Sequence, residues 1–210
     1  PGMDSETVDA FIAQLRRYVR ERLIPAEEDV IANDAIPDDI LAEMREMGLF
    51  GITIPEEFGG AGMSISQYIE TVKQISYAAP AYRSTMSINV GMTGSAIKNF
   101  GTTEQKDFWL PRIASGEIAC FGLTEPGSGS DSAAMQTMAV RDGNGYKLTG
   151  TKRYITNSPA AKIGLIMART SKEALPKNAH VSAFIVDMTS PGISIGKSDP
   201  LAASKRTKLM

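Results

Sequence analysis

The stretch Cys120-Phe-Gly-Leu-Thr-Glu-Pro-Gly-Ser-Gly-Ser-Asp131 changes character halfway along. Its first half is apolar and reads as the end of a strand. Its second half is a Pro-Gly-Ser-Gly-Ser run, which fits neither a helix interior nor a central strand. Glu125 precedes a proline and is therefore biased towards an extended backbone. Gly127, Ser128, Gly129 and Ser130 then form a loop that is small enough for close approach and rich in N–H and hydroxyl donors. Such a loop suits a phosphate or the polar edge of a ring. It is not a dinucleotide fingerprint or a nucleotide-triphosphate loop, because both need a helix to start at the last glycine. Taken by itself, the run is equally compatible with an ordinary surface turn.

Around this stretch the periodicity of the chain switches. Before Gly116 the apolar residues recur at helical spacing. Val8, Phe11, Ile12, Leu15, Val19 and Leu23 predict an amphipathic helix over 5–24, capped by Asp4 or Ser5 and closed by Pro25. Ile40, Leu41, Met44 and Met47 predict a second, from Pro37 as its first residue to Gly48. Residues 51–62 read as loop. A helix starting at Ser64 carries Ile65, Tyr68, Ile69, Val72 and Ile75, and a Met-rich one spans 82–100. Thr102 with Gln105 matches a capping box for a last helix through Trp109.

Beyond Gly116 the pattern alternates. Strands are expected over 118–123, 135–141, 146–151, 154–156, 163–169, 181–187 and 193–195, with Asp142-Gly-Asn-Gly145 as a hairpin turn. The expected architecture is α+β: an all-helical domain over 1–116, then an antiparallel barrel-like or sandwich domain over 117–198. Residues 199–210 read as an uninformative tail.

Composition narrows the chemistry. The 210 residues carry 22 basic and 24 acidic side chains, a net charge of −2, which gives no electrostatic footprint for nucleic acid. The one cysteine, Cys120, precludes an internal disulfide and reads as a small buried hydrophobe. The one histidine, His180, leaves no multi-histidine metal site, so no metal is expected. No apolar run is long enough to cross a membrane. The N-terminus does not read as a secretory or transit peptide, and Pro1-Gly2 reads as an expression scar.

Further along stands Thr149-Gly-Thr-Lys-Arg-Tyr-Ile-Thr-Asn157. Together with the first stretch, in this order and at this separation, it resembles the flavin-binding middle domain of acyl-CoA dehydrogenases. The resemblance includes Gly48-Leu-Phe-Gly-Ile-Thr-Ile-Pro-Glu-Glu-Phe-Gly-Gly60 and Trp109-Leu-Pro-Arg-Ile-Ala-Ser-Gly-Glu117, and runs to about Ser198.

The resemblance implies an FAD-dependent α,β-dehydrogenation of an acyl-CoA thioester to a trans-2-enoyl-CoA. It implies cofactor contacts from Phe121, Gly122, Leu123 and Thr124, with the Thr124 hydroxyl near the pyrimidine edge. Gly129 and Ser130 then face the pyrophosphate and the acyl-CoA entrance. Tyr154, Ile155 and Thr156 form a second flavin strand, with the Thr156 hydroxyl near N5. The family commonly has Trp at the place of Tyr154, a change of size that adds a hydroxyl. Arg83 and Ser84 resemble the pair with which glutaryl-CoA dehydrogenases meet the far carboxylate of their substrate. Relatives with plain acyl substrates carry similar segments, and a structurally paired arginine is the plainer reading.

No catalytic residue is assigned, because the family's glutamate base lies in a C-terminal helical domain outside this sequence. Asp131 is expected to cap its loop. The implied partners are an acyl-CoA substrate and electron-transfer flavoprotein as acceptor. The full-length parent is expected to be a homotetramer in the bacterial cytoplasm or mitochondrial matrix, not secreted. The alternatives are a non-catalytic flavin- or acyl-CoA-binding module and a glutaryl-CoA-type dehydrogenase.

Overall fold

A computed structural model describes residues 2–173 and 175–196. The tail expected over 199–210 lies outside the described residues. The architecture is α+β, and the described chain falls into two compact units, one ending at Ile118 and one spanning Ala119–Gly196.

The first unit is helical. α1 (Ser5–Tyr18) starts where the Asp4 carboxylate accepts the Thr7 N–H at 2.9 Å, and it continues through a π-helical turn over Val19–Leu23. α2 (Glu27–Asn33) was not expected. It buries only Val30, so it has no apolar stripe to read, but three acids in its first turn favour its N-terminus. α3 (Asp38–Glu46) uses Pro37 as its cap rather than its first residue, and ends at Gly48 in the left-handed region at φ 70°. The expected loop after it is compact, with 3₁₀ turns over Leu49–Gly51 and Glu56–Phe58. Gly60 lets this segment close: a Cβ there would lie 2.1 Å from the Ile54 carbonyl oxygen.

α4 (Ile65–Ile75) and α7 (Thr103–Ala114) both begin with the capping box, from Ser64 with Gln67 and from Thr102 with Gln105. α7 runs on past Trp109 and through Pro111. Between them α5 (Pro80–Ser87) and α6 (Ser95–Phe100) are joined by a π-helical stretch over Ile88–Gly94. The core gathers Leu15, Leu23, Ile40, Met44, Phe50, Ile75, Tyr82 and Met86, all fully buried. Each such side chain contributes roughly 1.5–3 kcal/mol by leaving water. The Tyr82 hydroxyl donates to the Leu23 carbonyl at 3.1 Å, so the one polar atom on that ring is satisfied.

The second unit holds β1 (Ala119–Gly122), β2 (Met138–Asp142), β3 (Gly145–Thr149), β4 (Ile163–Arg169) and β5 (Val181–Asp187). They form one sheet in the order β1-β4-β2-β3, with β5 also on β4. β2 and β3 make the expected hairpin, Asp142 opposite Gly145, with Gly143 at φ 57°.

The sheet is mixed, where an antiparallel one was expected. β1 runs parallel to β4, pairing Ala119 with Ile163 through Gly122 with Ile166, and β2 meets β4 in parallel at Met138 and Arg169. β5 is antiparallel to β4 along its whole length. Alternation reports which face is buried but not strand direction, and the parallel partner of β1 arrives after a hairpin rather than a crossover helix. Neither 154–156 nor 193–195 is a strand, and no barrel or sandwich closes among the described residues.

Candidate functional site

β1 delivers residues 121–124 to its C-terminal end, and the loop beyond is tied shut by its own backbone. The Glu125 N–H donates to the Ser128 carbonyl at 2.9 Å, and the Ser128 N–H returns to the Glu125 carbonyl at 3.2 Å. The Ser128 hydroxyl donates to the Asp131 carbonyl at 2.8 Å. The Asp131 side chain makes no capping bond, so the expected cap is not formed by its carboxylate. Glu125 and Ser128 are buried, whereas Gly127, Gly129 and Ser130 face outward.

The Glu125 carboxylate is the anchor. It accepts the Gln136 N–H at 2.6 Å, the Thr137 N–H at 2.9 Å, the Thr137 hydroxyl, and the Lys152 ammonium at 2.8 Å. Burial alone would raise its pKa. The Gln136 N–H, the Lys152 ammonium and the two Thr137 donors together outweigh that and hold the carboxyl at about 2. A carboxylate so occupied cannot act as a base near neutral pH. The Cys120 thiol is pushed up to about 11 by burial, which makes it an inert hydrophobe.

The second motif comes alongside the first. The Lys152 ammonium also donates to the Leu123 carbonyl at 3.0 Å, the Arg153 N–H to the Thr124 carbonyl at 2.8 Å, and the Asn157 amide to the Ala119 carbonyl at 3.1 Å. The chain then turns instead of extending. Tyr154 sits at φ 59° and Asn157 at φ 69°, and the Ser158 N–H closes on the Ile155 carbonyl at 3.2 Å. A positive φ at a bulky residue ends an extended run, which is why no second flavin strand forms here. The Tyr154 ring is half-exposed with the Arg153 guanidinium 4.5 Å over it.

The structure thus brings Phe121, Gly122, Leu123 and Thr124 beside the segment carrying Tyr154, Ile155 and Thr156. Among the described residues, the hydroxyls of Thr124, Ser130 and Thr156 make no hydrogen bond within the chain. A Cβ built at Gly129 meets nothing within 4 Å, so the backbone there is open to a ligand. Such open donors beside an exposed glycine fit a polar ring edge and a phosphate. Arg83 and Ser84 belong to the other unit. They sit half-buried on α5, and Arg83 makes no ion pair among the described residues, so the expected structural pairing is not found. No group of three acidic, histidine or cysteine side chains could hold a metal among the described residues.

Sequence reasoning missed Lys152, Thr137 and Gly150. Gly150 is pressed against Thr137, where a Cβ would lie 2.3 Å from the hydroxyl oxygen. The signal for Lys152 was present: an acid that precedes proline and is drawn inward demands a cation, and Lys152 stands in the partner motif.

A helical unit followed by a β unit with these two facing segments defines the class. The family model for the acyl-CoA dehydrogenase N-terminal domain matches residues 5–117, and that for the middle domain matches 120–209, extending past Ser198. The chain is 36% identical over 187 residues to an acyl-CoA dehydrogenase of Bacillus subtilis, covering 88% of this chain and 48% of the relative. It is 34% identical over 195 residues to the human mitochondrial short-chain specific acyl-CoA dehydrogenase, covering 92% and 47%. A solved glutaryl-CoA dehydrogenase from Mycobacterium smegmatis, in complex with FADH2, superposes with TM-score 0.80 at 32% identity, covering 91% and 48%. The chain belongs to the acyl-CoA dehydrogenase family, and spans about half the length of the curated relatives it matches.

Proposed function

We propose that the chain forms the N-terminal and middle parts of an FAD-dependent acyl-CoA dehydrogenase, and that FAD lies along 121–124 and 154–156 with its pyrophosphate at Gly129 and Ser130. The observation that carries this is the backbone tie between the two motifs, beside which the Thr124, Ser130 and Thr156 hydroxyls have no hydrogen-bond partner among the described residues. Bound FAD supplies the acceptor for the hydride from the substrate β-carbon. Thr124 offers donors to the pyrimidine edge, and the Thr156 hydroxyl offers one beside the reactive nitrogen. Ser130, with Gly129, faces the acyl-CoA entrance, while Tyr154 gives an aromatic wall where the family commonly has Trp.

The α-proton must leave to a base, and Glu125, the one buried acid among the described residues, is not free for it. Glu125 is committed to four hydrogen bonds. As the family resemblance implies, the base is proposed to lie in a C-terminal helical part of the parent, which is also proposed to form a homotetramer and to pass electrons to electron-transfer flavoprotein. No helix among the described residues is long and apolar enough to cross a membrane. A place in the bacterial cytoplasm or the mitochondrial matrix is part of the proposal, since matched relatives are bacterial and mitochondrial. A second reading, a glutaryl-CoA-type substrate, is favoured by one observation: the half-buried Arg83 lacks an ion-pair partner among the described residues. Its fixed bidentate fork suits a distal carboxylate.

The test is anaerobic mixing of the FAD-supplied chain, and of the parent, with butyryl-, octanoyl- and glutaryl-CoA. The parent is expected to bleach the flavin band and form enoyl product. The chain alone is expected to be slower by about 10²–10⁴-fold or more, since it lacks the base. Enoyl product from the chain at the parent's rate would place a base within residues 1–210.

A further inference from the structure

Among the ion pairs of the described residues, Lys152–Glu125 is the buried one. Its side chains are 10% and 5% exposed, while the next most buried pair, Arg112–Glu117, stands at 26% and 35%. A buried ion pair adds little stability by itself, because desolvation offsets the attraction. The consequence of this one is geometric.

The ammonium is held between the Glu125 carboxylate and the Leu123 carbonyl, at 2.8 and 3.0 Å, with the Met135 sulfur at 3.9 Å. Its stem runs past Gly122, where a Cβ would lie 3.4 Å from Lys152 Cγ and 2.7 Å from Ile166 Cδ1. In a trans peptide the C=O of one residue and the N–H of the next point in opposite directions. Fixing the Leu123 carbonyl on Lys152 therefore fixes the Thr124 N–H away from Lys152. The Thr124 carbonyl is held in turn by the Arg153 N–H at 2.8 Å, so the peptide planes on both sides of Thr124 are set by the 152–153 segment.

We propose that Lys152 is a positioning residue: its ammonium, seated by Glu125, sets the Leu123–Thr124 peptide plane and so aims the Thr124 N–H at an acceptor on the flavin. The plane rests on geometry alone, and the identity of the acceptor rests on the flavin reading above. Lys152 touches neither cofactor nor substrate in this scheme, and acts through Thr124.

The test uses the full chain with Glu125→Gln and Lys152→Met together, which removes both charges and leaves no buried ion unpaired. Two readings are taken: the Leu123 carbonyl and Thr124 amide resonances without ligand, and FAD affinity by quenching of flavin fluorescence. The double variant is expected to keep its helical circular dichroism, to shift both resonances, and to bind FAD about tenfold or more weakly. A folded double variant with both resonances unmoved, or with FAD affinity within about threefold of a binding parent, overturns the proposal. If the parent itself does not bind FAD but the two resonances move, the positioning stands and the flavin reading fails. Lys152→Arg, which keeps a cationic donor and a partner for Glu125, covers the case of a double variant that does not fold. It is expected to keep parental resonances and affinity, and a folded Lys152→Arg with displaced resonances overturns the proposal.

Discussion

Glu125 is the residue on which pH should act. Its folded pKa of about 2 lies below the ordinary 4.5, because the Gln136, Lys152 and Thr137 contacts outweigh burial. A depressed carboxyl pKa stabilises the fold above the unfolded value, and that contribution is lost as pH falls from about 4.5 through 2. The shift corresponds to on the order of 3 kcal/mol. The melting temperature of the β unit is expected to fall across that window, and Glu125→Gln to start lower and flatten the fall. An equal decline in the variant would show that other carboxyls govern it. Gly129 makes the complementary case. A Cβ there meets no protein atom, and its φ lies outside the left-handed region, so Gly129→Val is expected to fold and melt like the parent. The same side chain would occupy the open face, so FAD affinity is expected to drop about tenfold or more. Unchanged affinity would move the pyrophosphate elsewhere.

At the scale of elements, the capping boxes give the plainest expectation. Ser64 accepts the Gln67 N–H while Gln67 returns to the Ser64 N–H, so Ser64→Ala is expected to cost about 1 kcal/mol in denaturant unfolding of the helical unit. A change below a few tenths would mean that α4 is held by packing alone. The helix at Ser64 was legible because its apolar residues recur at helical spacing, and the one at Thr102 because a Thr and a Gln three residues on agree. α2 was not legible, since one buried valine makes no stripe. The hairpin at Asp142–Gly145 was legible from its turn glycines, but the parallel pairing of β1 with β4 was not, because direction leaves no mark in a four-residue apolar run. The turn at Tyr154 hid for a related reason. Tyr-Ile-Thr is a good strand sequence, and only the left-handed backbone at Tyr154, imposed by ties from Arg153 to Thr124 and from Asn157 to Ala119, bends it away. The candidate site was legible as two motifs. What joins them, a lysine of one under the carbonyl of the other, depends on tertiary placement that no spacing encodes.

At the scale of the whole molecule, the β unit is the proposed holder of the flavin. Its two tied segments are proposed to supply the donors, and the base is proposed to lie outside residues 1–210. The most direct measurement is hydrogen exchange of the chain with and without saturating FAD, resolved by peptide. Slower exchange is expected at 121–130 and 152–157, with α1, α2 and α3 unchanged. Protection confined to the helical unit, or absent from both segments while FAD is demonstrably bound, would contradict the assignment.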